Sequence, residues 1–189
     1  MAQAIRKVEG VTLPEPGTYE LDVAHTAVEF VARHMLTKVR GRFTDFSGTI
    51  EVAERPEDSS VNVEIKTASI QTDTGKRDDH LKSGDFLLIE EYPVITFTST
   101  AVRPTAGTNF ELDGDLTIRG VTRPVTLTGE FLGAGPGMDG KTPMLAATAR
   151  TTIYREDWGV SWNMAVETGG FLVSKKVDLE IEVEAHRVK

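Results

Sequence analysis

The stretch Val177-Asp178-Leu179-Glu180-Ile181-Glu182-Val183-Glu184-Ala185 alternates apolar and acidic residues without a break. A period of two belongs to a strand with one buried and one wet face, and to no helix. At about 3.3 Å per residue these nine positions span roughly 30 Å, the wall of a tall barrel or sandwich. Seven further segments carry strand signals, near 18–36, 38–54, 60–71, 94–102, 109–119, 121–133 and 144–154, and the opening stretch extends over 172–187. Turn chemistry separates them at Arg55-Pro56, Pro104 to Gly107, Arg119-Gly120, Gly133 to Gly140 and Gly169-Gly170. Eight long strands with mostly short connections predict an all-β, extended eight-stranded antiparallel barrel of lipocalin-like type.

Two details sharpen the barrel. Tyr19, Leu21 and Val23 share one parity while Val28, Phe30 and Ala32 share the other; Val39, Gly41 and Phe43 likewise give way to Phe46, Gly48, Ile50 and Val52. Each phase change requires a bulge or bend, which is how a sheet curls on itself. The exception to the strand pattern is 74–83, where Arg77, Asp78, Asp79, His80, Leu81 and Lys82 predict a short helix capping one end, with Thr72 or Asp73 near its start.

The totals narrow the function. The chain has 189 residues, no cysteine and a net charge of −8. That excludes disulfides, thiolate metal sites and cysteine nucleophiles, and it disfavours nucleic acid as a partner. Residues 1–17 hold Pro14, Pro16 and Gly17 and no seven consecutive apolar residues, so no signal peptide is read there and a cytoplasmic location is expected. No segment reaches the length of a transmembrane helix. We read 1–17 as an N-terminal extension and 18–189 as one barrel domain.

On the apolar face, large residues alternate with Gly41, Gly48, Gly114, Gly129, Ala147 and Ala149. Small inward residues fit a cavity, and they fit bends in a filled core equally well. If a cavity exists its lining is apolar and its ligand a long hydrocarbon. Burying roughly 500 Å² of such a chain is worth on the order of 12 kcal/mol gross, before association costs of several kcal/mol. The candidate contacts are Val28, Phe30, His34, Phe43, Phe46, Ile65, Phe97, Leu112, Leu116, Leu127 and Phe131; Trp158, Trp162, Met164 and Phe171 form an adaptable lid or a plug. His34 enters that set because it shares the parity of Val28 and Phe30. Extending the parity of Val177 backwards puts Lys175 on the apolar face, at a rim.

For a polar head group the candidates are His25, Arg77, His80, Arg155 and Lys175. Structural readings compete at each of them: His25 and His34 hydrogen-bonded to neighbouring elements, Arg77, Asp78 and His80 clamping the helix, and Arg155 in a buried ion pair. No metal set is fixed by spacing, and no catalytic motif of the Gly-x-Ser-x-Gly, His-Glu-x-x-His or P-loop kind occurs.

The run RDDHLKSGDFLLIEEYPVITFTST (77–100), with YELDVAHTAVEFVARH (19–34), VRGRF (39–43), GDLTIRGVTRPVTL (114–127), YREDWG (154–159) and ETGGFLVS (167–174), resembles the YceI-like family in its order of blocks. The resemblance implies a lipocalin-like barrel that carries or stores an isoprenoid lipid, such as an isoprenoid quinone or a polyprenyl phosphate, without a cofactor and without turnover. Lys175-Lys176 departs from an acidic pair common in that family, and many members are secreted. An enzyme using His25, His34 or His80 as acid or base on a bound isoprenoid is the alternative, and a barrel that serves only as an interaction scaffold is a third. A homodimer is expected from base rates alone.

Overall fold

The computed structural model describes residues 5–8, 10–165, 167 and 170–188. Its strands, in chain order, are β1 (Ile5–Val8), β2 (Val11–Pro14), β3 (Gly17–Leu21), β4 (Ala27–His34), β5 (Thr37–Phe43), β6 (Phe46–Val52), β7 (Ser60–Lys66), β8 (Ile70–Gln71), β9 (Val94–Pro104), β10 (Asn109–Ile118), β11 (Val121–Pro136), β12 (Pro143–Tyr154) and β13 (Val173–Arg187). One α-helix, α1 (Gly75–Lys82), joins β8 to β9 through a turn-rich segment.

Apart from the small β1–β2 hairpin, these strands make one antiparallel meander. β3 and β4 are two halves of one bent strand, as are β5 and β6, and β7 and β8; counted so, the wall has the eight strands that the sequence predicts. β13 closes it. One edge runs along β12 from Met144↔His186 to Tyr154↔Lys176; the other meets β3 at Ala185↔Leu21 and β4 from Glu182↔Ala27 to Val177↔Ala32. β13 thus joins the two ends of the meander, while among the described residues β8 pairs only with β5, at Arg42↔Gln71 and Phe43↔Ile70, and not with β9.

The bends fall where the parity switches. Between β3 and β4 the chain is stitched to β13: Asp22 N donates to the Glu184 carbonyl (2.9 Å), and Thr26 Oγ1 donates to that carbonyl (2.9 Å) and accepts from Glu184 N (3.1 Å). The β5–β6 bend lies beside the break between β7 and β8. There Thr44 N donates to Ser69 Oγ (3.1 Å) and Lys66 N to the Asp45 carbonyl (2.9 Å). Two adjacent strands that bend at the same height turn the corner together.

Three boundaries differ from expectation. β11 continues to Pro136 and β12 starts at Pro143, so the first half of the glycine-rich run is strand and the loop only 137–142. Residues within 1–17 form the β1–β2 hairpin, which the Pro and Gly signals had masked. Gly169 of the predicted Gly169-Gly170 break lies outside the described residues.

Two buried clusters lie along the barrel. Tyr19, Leu145 and Ala185 make one, and the Tyr19 hydroxyl donates to the Glu15 carbonyl (2.8 Å). Val28, Phe46, Ile65, Ile95, Leu116, Ile153 and Trp158 make the other. Among the described residues no helix is long and apolar enough to cross a membrane.

Candidate functional site: an apolar lumen

The barrel is hollow. It encloses about 1030 Å³, at the top of the range of roughly 300–1,000 Å³ for small-molecule sites. Val177, Leu179, Ile181 and Val183 of the alternating stretch line it, opposite their acidic neighbours on the outer face. Of the residues expected from sequence, Val28, Phe30, Phe43, Ile65, Phe97, Leu112, Leu116, Leu127, Phe131 and Trp158 also line the lumen. Phe46 is buried in the wall cluster and does not.

The inward glycines do not act as simple gaps. A Cβ at residue 41 would lie 2.2 Å from the Phe30 ring, one at 114 would lie 2.4 Å from Phe97, and one at 129 would lie 2.3 Å from Phe110. Phe30↔Gly41 and Phe110↔Gly129 are cross-strand partners. Each ring therefore lies over a bare Cα, flat along the wall. The glycines keep the lumen open by giving the aromatics somewhere to lie down.

At one end the lining is polar and mostly exposed: Arg6, Glu54, Arg55, Glu57, Thr105, Thr108 and Asn109. The β1–β2 hairpin lies against this rim, with Val8, Val11, Leu13 and Pro14 on the lumen. Arg6 ties it down, donating to the carbonyls of Glu54, Ala53 and Pro14 and pairing with the Glu54 carboxylate. At the other end Leu81, Phe86, Leu87, Trp158, Val160 and Arg155 form a floor in which Phe86, Trp158, Val160 and Arg155 are buried. Trp158 Nε1 donates to the Leu116 carbonyl (3.0 Å), anchoring the 3-10 turn Arg155–Trp158 to β10.

Several candidates lie elsewhere. His34 is the last residue of β4, where the alternation that would have turned it inward has run out, and it is exposed. The β4–β13 register shifts between Val173 and Val177, which breaks the parity that put Lys175 on the apolar face; Lys175 is exposed and its Nζ pairs with Glu156 Oε2 at 3.0 Å. Arg77 and Asp78 clamp α1: Arg77 Nε donates to Thr72 Oγ1 (2.7 Å), and Asp78 Oδ1 accepts from Thr72 N (2.8 Å). His80 pairs with Asp85 (2.7 Å) and stacks edge-on against Phe86 and Trp162. Trp162 thus backs the floor from outside. Met164 and Phe171 point to solvent and join neither lid nor plug in the lumen.

His25 and His34 stand at opposite ends of β4 and do not meet. His25 instead joins Asp22 (2.9 Å) and Glu184 (3.9 Å) on the outer face, with His186 3.3 Å from both carboxylates. The hydrogen bond to Asp22, then the Asp22 and Glu184 charges, raise the His25 pKa; the same bond lowers that of Asp22. A raised histidine value stabilises the fold below its ordinary pKa and loses that contribution as pH rises through the raised one. The Asp22 contribution is present above its ordinary pKa and is lost as pH falls. An NMR titration should place His25 above 6.5, and Asp22→Asn should return it towards that value; an unshifted wild-type imidazole would show that the pair does not form.

Arg155 is buried, but not in the expected ion pair. Its Nε donates to the Ser174 carbonyl (2.9 Å) and Nη1 to the Val160 carbonyl (2.7 Å), and among the described residues no carboxylate pairs with it. Desolvation lowers its pKa. Lining residues absent from the sequence-based set include Phe86, Leu87, Phe110, Leu145 and Ile153. Phe110 was within reach, since it shares the parity of Leu112, Gly114 and Leu116.

None of His25, His34 and His80 lines the lumen, so a chain held there meets no imidazole. The cavity can shield one long apolar chain from water along a mostly apolar wall, in which Thr148 and Thr151 are isolated polar residues, and it offers charged groups towards its rim and floor.

Known proteins share this fold. The YceI-like domain model matches residues 19–185, which leaves the β1–β2 hairpin outside the match. A UPF0312 protein of Staphylococcus aureus is 36% identical over 170 residues, covering 88% of this chain and 95% of that one. One from Pseudomonas putida is 34% identical, covering 87% and 83%. The crystal structure of the Campylobacter jejuni YCEI protein superposes with a TM-score of 0.71 at 29% identity, over 82% of this chain and 88% of that one. Burkholderia cenocepacia BcnA (TM-score 0.77, 22% identity, 87% and 98% covered) and a polyisoprenoid binding domain from Saccharophagus degradans (0.65, 15%, 92% and 99%) share the fold. The chain belongs to the YceI-like family.

Proposed function

We propose that the protein binds one long-chain isoprenoid lipid in its lumen and carries or stores it unchanged. The observation that supports this most is the lumen itself: about 1030 Å³, walled mostly by aliphatic and aromatic side chains, with the charged groups of its rim and floor towards its ends. A chain of that kind gains about 0.8 kcal/mol per buried methylene, enough to outweigh the ordering of many bonds. The likeness to a polyisoprenoid binding domain adds weight to an isoprenoid over a straight chain. The enzyme reading loses its acid or base, because the three histidines it invoked lie outside the lumen.

The β1–β2 hairpin has the form of a cover. Among the described residues it shares no strand pairing with the barrel, it places apolar side chains over the rim, and one arginine holds it. Extraction of the purified protein with organic solvent, followed by mass spectrometry, tests the function. A single class of prenyl lipid near one per chain is expected; an empty protein that also fails to take up prenyl lipids would refute the reading.

A further inference from the structure

Three arginines line the lumen, and they differ in one respect. Arg6 pairs with Glu54, and Arg55 with Asp58 and Glu57, all at the exposed rim. Arg155, 6% exposed at the floor, has no carboxylate partner among the described residues, and its Nη2 has no hydrogen-bond partner. Glu156 is adjacent in sequence, but its carboxylate is taken by Lys175. Two carbonyl bonds hold the guanidinium plane in place, and Nη2 is buried without a partner, so a head group reaches it only where the floor side chains give way slightly.

Glu156 acts favourably on the guanidinium without bonding to it, and the Phe86 ring lies 6.0 Å away, yet a buried charge with no bonded counter-ion remains costly, and a carbonyl acceptor satisfies its N–H without neutralising it. An oxyanion does both through a charge-assisted bond. The rest of the floor, Leu81, Phe86, Leu87, Trp158 and Val160, is apolar, and the Trp158 N–H is already committed to Leu116. Among the described residues no second cation lines this end, so the site balances one negative charge and not the several of a diphosphate.

Resting on the lipid-binding reading, we propose that Arg155 makes the floor an oxyanion subsite: Nη2 donates to a compact, singly charged head group, a carboxylate or a phosphate monoester in its singly ionised form. The chain then lies head-inward, its tail running towards the rim beneath the β1–β2 hairpin. The lumen so read selects acidic prenyl lipids over alcohols and neutral quinones of the same length.

The test compares geranylgeranoic acid, geranylgeranyl monophosphate and geranylgeraniol on wild type and on Arg155→Met. Wild type should bind the acid about ten- to a hundredfold tighter than the alcohol, the value of one charge-assisted bond. In Arg155→Met that ratio should fall to about one. The monophosphate arm separates the two sources of oxyanion: preference for either over the alcohol supports the subsite. Since Arg155 also braces Ser174 and Val160, a second measurement needs no variant. Geranylgeranoic acid with a 13C carboxyl should titrate lower when bound to wild type than when free, whereas an apolar floor without a usable cation would raise it. Equal binding of acid, monophosphate and alcohol would overturn the subsite and leave the lipid carrier standing, as would an acid preference that survives in Arg155→Met. Binding of none of the three would remove both.

Discussion

Trp158→Ala should lower the stability of the protein by about 4 kcal/mol, the usual cost of emptying a large buried aromatic site. For a chain of this size that is a drop of roughly 8–16 °C in melting temperature. The size of the effect follows from where Trp158 stands. It is 3% exposed, it forms the floor of the lumen, and it belongs to the cluster that joins β4, β6, β7, β9, β10 and β12. Its indole N–H also satisfies the Leu116 carbonyl, which alanine would strand. Trp158→Phe separates the two contributions, keeping most of the bulk while orphaning the carbonyl, at about 1–3 kcal/mol. Thermal melts of both variants decide the matter: equal losses would place the whole effect in the hydrogen bond, and none would remove Trp158 from the core.

The second large effect tests how the lumen stays open. Gly41→Ala puts a methyl group 2.2 Å from the tip of Phe30, so the ring must leave the wall and stand into the cavity. About 2 kcal/mol of stability should be lost to overpacking, and prenyl-lipid affinity should fall with it. The three atoms nearest to that methyl position all belong to the Phe30 ring, which makes the site separable. Phe30→Leu in the Gly41→Ala background should therefore recover both stability and affinity, a coupling between cross-strand partners that unrelated sites would not show. Additive losses in the double variant would mean that the glycine serves backbone freedom and not the ring. The comparison also tells a cavity from a filled core, because only a cavity has a ligand to lose.

The fold was legible because its signals are local and periodic. Alternation in 177–185 and the parity switches near Ala24 and after Phe43 need no tertiary information, and they locate the strands and the bends. What escaped the sequence depends on register. His34 and Lys175 were assigned by extending a parity past the point where pairing ends or shifts, and no local signal marks either place. The glycines were ambiguous for a related reason: whether Gly41 leaves a gap or seats a ring depends on its being opposite Phe30, which is a fact about pairing. Arg155 shows the limit most clearly. Its neighbours Glu156 and Asp157 invite an ion pair in the sequence, yet in the fold Glu156 turns to Lys175 and the guanidinium is left facing carbonyls.

The most direct measurement is a titration of the Trp162→Phe protein with a prenyl lipid, followed through the emission of Trp158, then its only indole and one that lines the lumen. Saturation at one chain per protein, with the emission shifted as water leaves the floor, is the expected result. A wholly linear, unsaturable response, or none, would contradict the claim that the barrel encloses a lipid.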